Sequence, residues 1–361
     1  MYSKMEGQPV CVRKNTIMSQ RKKNWKKVVS VFVGVSGVML NRCEDNPSGG
    51  KGNLSVLIEP EGVIINGLVP GNEVINIRDG WTIYFDKYLT AVGGIVLRNI
   101  ADDSVEASAL DTYVLDLNKI PASGLPVWQF DDLASGRWNI SYNTPVVTST
   151  TRIHETVLLE DYHQMVANGW TYLVDGVMTK VDGQSCPPRE LATPGDLLPN
   201  GQMSGNNPCY DAPTLRIKLG AEVATVYGPC EIDHLAGAVV PVGGTQTVAV
   251  TLHGDHLFFN GFPAGSEGGV TRLAQWIADC DLNLDGEVTN NELLAITPAA
   301  LPEIDERYQL GGSPLTPLYT MYDYFKAQLK TQGHFQGEGE CPADGKWLDH
   351  GHSHDLMLMG Y

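Results

Sequence analysis

The stretch Trp81-Thr82-Ile83-Tyr84-Phe85 alternates large apolar side chains with residues suited to a second face. Side chains of an extended chain point to opposite sides in turn, so Trp81, Ile83 and Phe85 share an inward face and Thr82 and Tyr84 share the other. Outward from it, residues 54–59, 94–98, 112–117, 138–142 and 170–174 are equally rich in β-branched and aromatic residues, the composition of half-buried strands. In 246–253, Val248, Val250 and Leu252 alternate against Thr247, Ala249 and Thr251. Many short strands without long helices between them predict a mainly β domain over 54–265, an antiparallel sandwich or barrel-like structure. One helix interrupts it at 158–167, where Leu159, Tyr162, His163 and Val166 recur at helical spacing. Trp128, Trp138 and Trp170 read as its core, the alternative being a carbohydrate platform. Gly93-Gly94, Gly243-Gly244 and Gly268-Gly269 read as hairpin or linker material.

Beyond Gly269 the pattern turns helical: 270–280, the stretch after Asn290, and 315–330, where Leu318, Met321, Tyr322, Phe325 and Leu329 form an amphipathic stripe. Between the first two lies Asp281-Leu-Asn-Leu-Asp-Gly-Glu-Val-Thr-Asn-Asn-Glu292. It carries oxygen donors at positions 1, 3, 5, 7, 9 and 12 and a glycine at position 6, where the chain must turn sharply. This segment resembles an EF-hand loop. The resemblance implies a Ca²⁺ ion held by Asp281, Asn283 and Asp285, by the Glu287 carbonyl, by Thr289 directly or through a water, and by both carboxylate oxygens of Glu292. Val288, at position 8, is the apolar residue that pairs with a partner loop, yet the chain has no second loop of this type. Residues 266–331 are therefore expected to form a C-terminal helical EF-hand-like appendage in which calcium holds structure.

Six of the nine histidines fall late in the chain. His350, His352 and His354 alternate in a His-rich segment at 332–361, so an extended backbone would turn all three to one side. Imidazole suits Cu²⁺ and Zn²⁺ and is avoided by calcium sites. His253, His256 and His334 are further candidate ligands, and Asp255 and Asp349 candidate groups for orienting the rings. Strand alternation across His253 and His256 predicts that only one of them faces inward, in a packing role. The alternative for the tail is a solvated segment that takes up metal adventitiously.

The 25 basic and 42 acidic residues give a formal charge of −17, which argues against a nucleic-acid partner. Nine of the basic residues and one acid lie in 1–42, so 16 basic and 41 acidic residues remain beyond, a formal charge of −25. Within 1–42, RKKNWKK at 21–27 precedes thirteen weakly polar residues at 28–40, shorter than the roughly 20 of a membrane-spanning helix and of the length of a secretory signal. Leu40-Asn41-Arg42-Cys43 resembles a lipoprotein cleavage site, with Arg42 where that pattern has a small residue. Residues 1–42 are thus expected to be a signal peptide, Cys43 a lipid attachment point and the membrane contact, and 43–53 a flexible tether.

Seven cysteines are present, and an oxidising compartment permits bridges. The Pro- and Gly-rich stretch 186–209 costs much chain entropy to order, which favours a Cys186–Cys209 pair across its ends. The odd count leaves a thiol suited to packing as a small apolar group. No nucleophile elbow, phosphate loop, dinucleotide fingerprint or zinc-protease helix occurs, and no catalytic or cofactor-binding residue is singled out. The acidic β-rich body, the segment Leu252-His-Gly-Asp-His-Leu-Phe258, the calcium-type loop and Gly333-His-Phe-Gln-Gly-Glu-Gly-Glu-Cys341 together resemble uncharacterised exported lipoproteins of Gram-negative bacteria. That resemblance implies the outer membrane or periplasm. The reading is an exported calcium-binding protein of the bacterial cell envelope. The alternatives are a periplasmic or surface copper/zinc-binding protein and a calcium-stabilised carbohydrate-binding module or hydrolase.

Overall fold

The computed structural model describes residues 49–188, 191, 202–204, 207–262, 269–301, 306–310 and 312–348. The expected signal peptide, Cys43 and the tail histidines His350, His352 and His354 lie outside the described residues, and the expected tether is partly inside, because a strand already begins at Lys51. The protein is mainly β, 42% strand and 16% helix, and its curled sheets form a half-barrel.

The nine-stranded sheet is organised by one strand, Thr82–Asn99, 18 residues long. Its first part pairs antiparallel with Tyr172–Thr179, and its second part with Gly136–Thr144, while Glu106–Asp116 runs along much of its length. Trp81, Ile83 and Phe85 are buried and Tyr84 is exposed, as the alternation predicts. The two strands expected at 81–86 and 94–98 are thus one. Gly93-Gly94 is no hairpin: it sits at the register shift inside that strand, where Gly94 adopts φ 60°. A bulge inserts an unpaired residue and bends the strand, and glycine takes the left-handed conformation without penalty. Bending lets one strand serve different neighbours at its two ends.

In the seven-stranded sheet Lys51–Pro60 lies between Leu125–Ala134, antiparallel, and Thr245–Leu252, parallel, with Asn53 opposite Thr245 and Pro60 opposite Leu252. The all-antiparallel expectation fails here: parallel neighbours need a long connection, and roughly 185 residues lie between the end of one strand at Pro60 and the start of the other at Thr245. Thr245–Leu252 is a central strand, and Ala249 and Thr251 are buried along with Val248, Val250 and Leu252. Next to it come Gly333–Phe335 and Gly339–Glu340.

The segment beyond 265 is not an appendage. The described residues fall in one compact unit. Trp276, Val288, Leu293 and Phe325 belong to the same apolar cluster as Leu54, Trp81 and Trp138. Its helices are shorter than the periodicity suggests, Gln275–Ala278, Asn290–Ala295 and Met321–Leu329, since burial on the sheet rather than intrinsic helicity holds them. The helix at 158–167 is present as Leu159–Asn168. Trp128 and Trp138 are 5% and 1% exposed, and Trp170 is half-buried with its ring over Gly220, so the three form no exposed aromatic platform.

Cys186 and Cys209 form the expected disulfide. A second, Cys230–Cys341, ties residues 111 apart in sequence and fastens the last described strands to the sheet. Cys280 is a buried free thiol.

Candidate metal sites

The calcium-type loop is built from its own polar side chains. Leu284 and Gly286 take φ 60° and 81°, giving the sharp turn at its middle. The Asp285 amide donates to Asn283 Oδ1 at 3.0 Å, the Glu287 amide to Asp285 Oδ1 at 2.8 Å and the Gly286 amide to Asp281 Oδ2 at 3.0 Å. Short polar side chains that accept from amides two or more residues on are what fold such turns. Glu292 closes the loop. Its Oε1 accepts from the Leu282 amide at 3.0 Å, and its Oε2 from the Thr289 amide and hydroxyl at 2.8 and 3.0 Å, a capping box at the start of Asn290–Ala295.

Two observations bear on an ion. Asp281 is 2% exposed and its Oδ1 has no hydrogen-bond partner, a costly state for a carboxylate oxygen unless a cation faces it. Burial pushes the Asp281 carboxyl up to about 6, with Glu292 and Asp285 adding to it, and burial likewise raises Glu292. Asn283, whose Nδ2 donates to Asp285 Oδ2 at 2.8 Å, and Thr289 complete an oxygen-rich set suited to a hard cation. The Glu287 side chain turns aside toward Lys218, 3.9 Å away, leaving its backbone for the loop. No three of the loop carboxylates approach one another within 4.8 Å.

Position 8 has its partner in the sheet. Glu287–Thr289 runs parallel to Thr214–Ala221, with Val288 opposite Ile217 and both buried. A strand of the body takes the place of the missing second loop.

The second site is formed by His253, His256 and His334, which are 4%, 3% and 4% exposed and each offer a ligand atom within 4.8 Å of the others. The ring of His253 lies 4.0 Å from that of His334 and 5.4 Å from that of His256. The expectation that only one of His253 and His256 points inward is corrected, and the cause is a change of period. The strand stops at Leu252 and a 3₁₀ helix runs over Gly254–Phe258. Residues three apart eclipse in that geometry, which returns His256 beneath His253. Thr251 stands opposite His334, so His253, two residues on, is a diagonal same-face neighbour of His334.

Asp255 sits beside this trio, fully buried, with Oδ1 3.9 Å from His256 Nε2 and Oδ2 paired to Arg272. Glu61 joins it: Glu61, His253 and Asp255 form a second group within 4.8 Å. Burial first, and the negative charge of Asp255 next, push the Glu61 carboxyl up to about 9. Glu61 and Arg272 carry no motif in the sequence, being 194 and 17 residues from Asp255. Only the pairing of Lys51–Pro60 with Thr245–Leu252, which ends at Pro60 opposite Leu252, brings Glu61 here.

Comparison with known proteins finds no matching family model, no matching curated protein and no matching solved structure.

Proposed function

We propose that this is an exported calcium-binding protein of the bacterial cell envelope, whose ion is structural and is held by Asp281, Asn283, Asp285, the Glu287 carbonyl, Thr289 and Glu292. The observation that carries the reading is the buried, partnerless Asp281 Oδ1 in a loop otherwise closed by its own hydrogen bonds. A cation there would compensate the buried Asp281 carboxylate and fasten an edge of the large sheet to the helix Asn290–Ala295. Two disulfides favour an oxidising compartment, which agrees with export. The loop is built into the sheet through Ile217 and Val288, a setting for holding structure rather than for opening a groove.

Thermal melts with and without a chelator test it. At calcium 100 times the dissociation constant, linkage contributes about 2.7 kcal/mol, a fall of about 4 °C on chelation for a fold of this size. Glu292→Gln should abolish the difference. A melt unchanged by chelation in the wild type removes the proposal.

A further inference from the structure

We infer that His253, His256 and His334, with the Asp255 carboxylate beside them, form a buried site for one divalent transition-metal ion of the zinc class, distinct from the calcium loop and independent of the tail histidines.

The hydrogen bonds around the rings set which nitrogens carry lone pairs. His253 Nε2 lies 3.0 Å from the Gly337 carbonyl, which can only accept, so Nε2 holds the proton and Nδ1 is left as a donor atom for metal. Thr331 Oγ1 donates its own proton to the Gln328 carbonyl at 2.7 Å, and so accepts from His256 Nδ1 at 2.9 Å. That leaves His256 Nε2 unprotonated, and this is the nitrogen 3.9 Å from Asp255 Oδ1. Ligating imidazoles are oriented in this way, the far N–H being spent on a carbonyl or hydroxyl. The supports are themselves fixed: the Gly337 amide donates to Thr251 Oγ1 at 2.9 Å, which pins the turn whose carbonyl holds His253.

Asp255 lies against the trio, between Glu61 and Arg272. Its Oδ2 is taken by Arg272, while Oδ1 is buried, has no hydrogen-bond partner and faces the histidines. The guanidinium compensates the carboxylate's charge, and an ion would meet three imidazole nitrogens with the Asp255 carboxylate close by. Such a set selects zinc and its neighbours over calcium and magnesium, which require oxygen shells.

A surface cleft adjoins the site through Glu61. Glu61 and Glu338 line a surface cleft with Val63, Asn66, Leu68 and Asn76. Glu61 also reaches His253 and Asp255, and Glu338 follows the residue whose carbonyl holds His253.

The test uses the full chain with His350, His352 and His354 all replaced by alanine, stripped by chelator, kept in calcium and titrated with Zn²⁺ alone. One equivalent should bind, and Glu292→Gln should leave that binding in place, so failure of the calcium reading would be visible separately. In the same background His256→Ala should weaken binding at least 100-fold. Thr331→Val, which removes only the support of the His256 ring, should weaken it about 10- to 100-fold with the melt preserved. Co²⁺ should give the intense visible bands of a four- or five-coordinate nitrogen-rich site. Three results overturn the inference: no stoichiometric Zn²⁺ uptake by a tail-substituted chain that melts like the wild type, uptake unchanged by both His256→Ala and Thr331→Val, or the weak spectrum of octahedral Co²⁺.

Discussion

Val288 stands directly opposite Ile217 in parallel register, and through this one pairing the calcium-type loop ends as the edge strand of the nine-stranded sheet. Loops of this kind expose an apolar position 8 that must be covered. Here the cover is a strand whose other neighbour, Tyr172–Thr179, is itself paired to the central strand Thr82–Asn99. An ion bound in this loop would therefore be coupled to the integrity of the sheet.

Val288→Ala follows as a coupled probe. Both residues of the pair are essentially inaccessible, and removing two buried methyl groups is expected to cost about 1–2 kcal/mol. Because the same residue fixes the loop to the sheet, calcium affinity should fall as well. Urea unfolding at saturating calcium gives the first effect and a calcium titration the second; affinity held at the wild-type value would separate the loop from the sheet.

Gly286 tests the loop's backbone. At φ 81° an added Cβ would meet nothing nearer than the Thr214 carbonyl oxygen at 4.0 Å, so the penalty of Gly286→Ala is conformational rather than steric. It should be about 1–3 kcal/mol, and Gly286→Asn should recover part of it because asparagine tolerates this region. Melting curves of the two variants, with calcium and with chelator, decide the order.

The two disulfides should rank by the chain they close. Cys230–Cys341 spans 111 residues and Cys186–Cys209 spans 23. Loop-closure entropy predicts losses of about 4–5 kcal/mol and about 3 kcal/mol when the paired cysteines become serine or alanine. Denaturant midpoints of the two double variants measure the ranking. Loss of Cys230–Cys341 should also weaken Zn²⁺ binding, since it tethers the hairpin that carries His334.

Asp79 supplies a pH test at a group that belongs to neither proposed metal site. Its Oδ2 accepts from the Ala274 and Gln275 amides at 2.7 and 2.8 Å, its Oδ1 has no partner, and burial raises its carboxyl above 3.8. A raised carboxyl means that the folded chain keeps a proton the unfolded chain releases. Its contribution is complete below pH 3.8 and is lost as pH rises through the folded value. Asp79→Asn should flatten that part of the stability profile while keeping the two amide bonds, as urea midpoints across pH 4–7 would show.

Much of the local structure was legible because its cause is local. The alternation at 81–85 gives a buried and an exposed face whatever the neighbours. The ligand spacing 281–292 contains its own turn, its own hydrogen bonds and its own cap. Cys186 and Cys209 flank a segment whose composition leaves it costly to order. Where a reading failed, a distant partner had intervened: Gly93-Gly94 bends a strand because three neighbouring strands must be served, and the helix expected over 270–280 shrinks to Gln275–Ala278 against the sheet.

By itself, then, the sequence determined the mainly β character and the oxygen-rich loop, because both depend on residues a few positions apart and on periods of two and twelve. Tertiary structure alone decided that the loop has Ile217 for a partner and that His253, His256, His334, Asp255 and Glu61 meet. Those contacts depend on strand register between segments up to about 200 residues apart, and on a change from strand to 3₁₀ geometry at His253. Register is set by burial of whole faces, a property of the assembled sheets that no single stretch of chain carries.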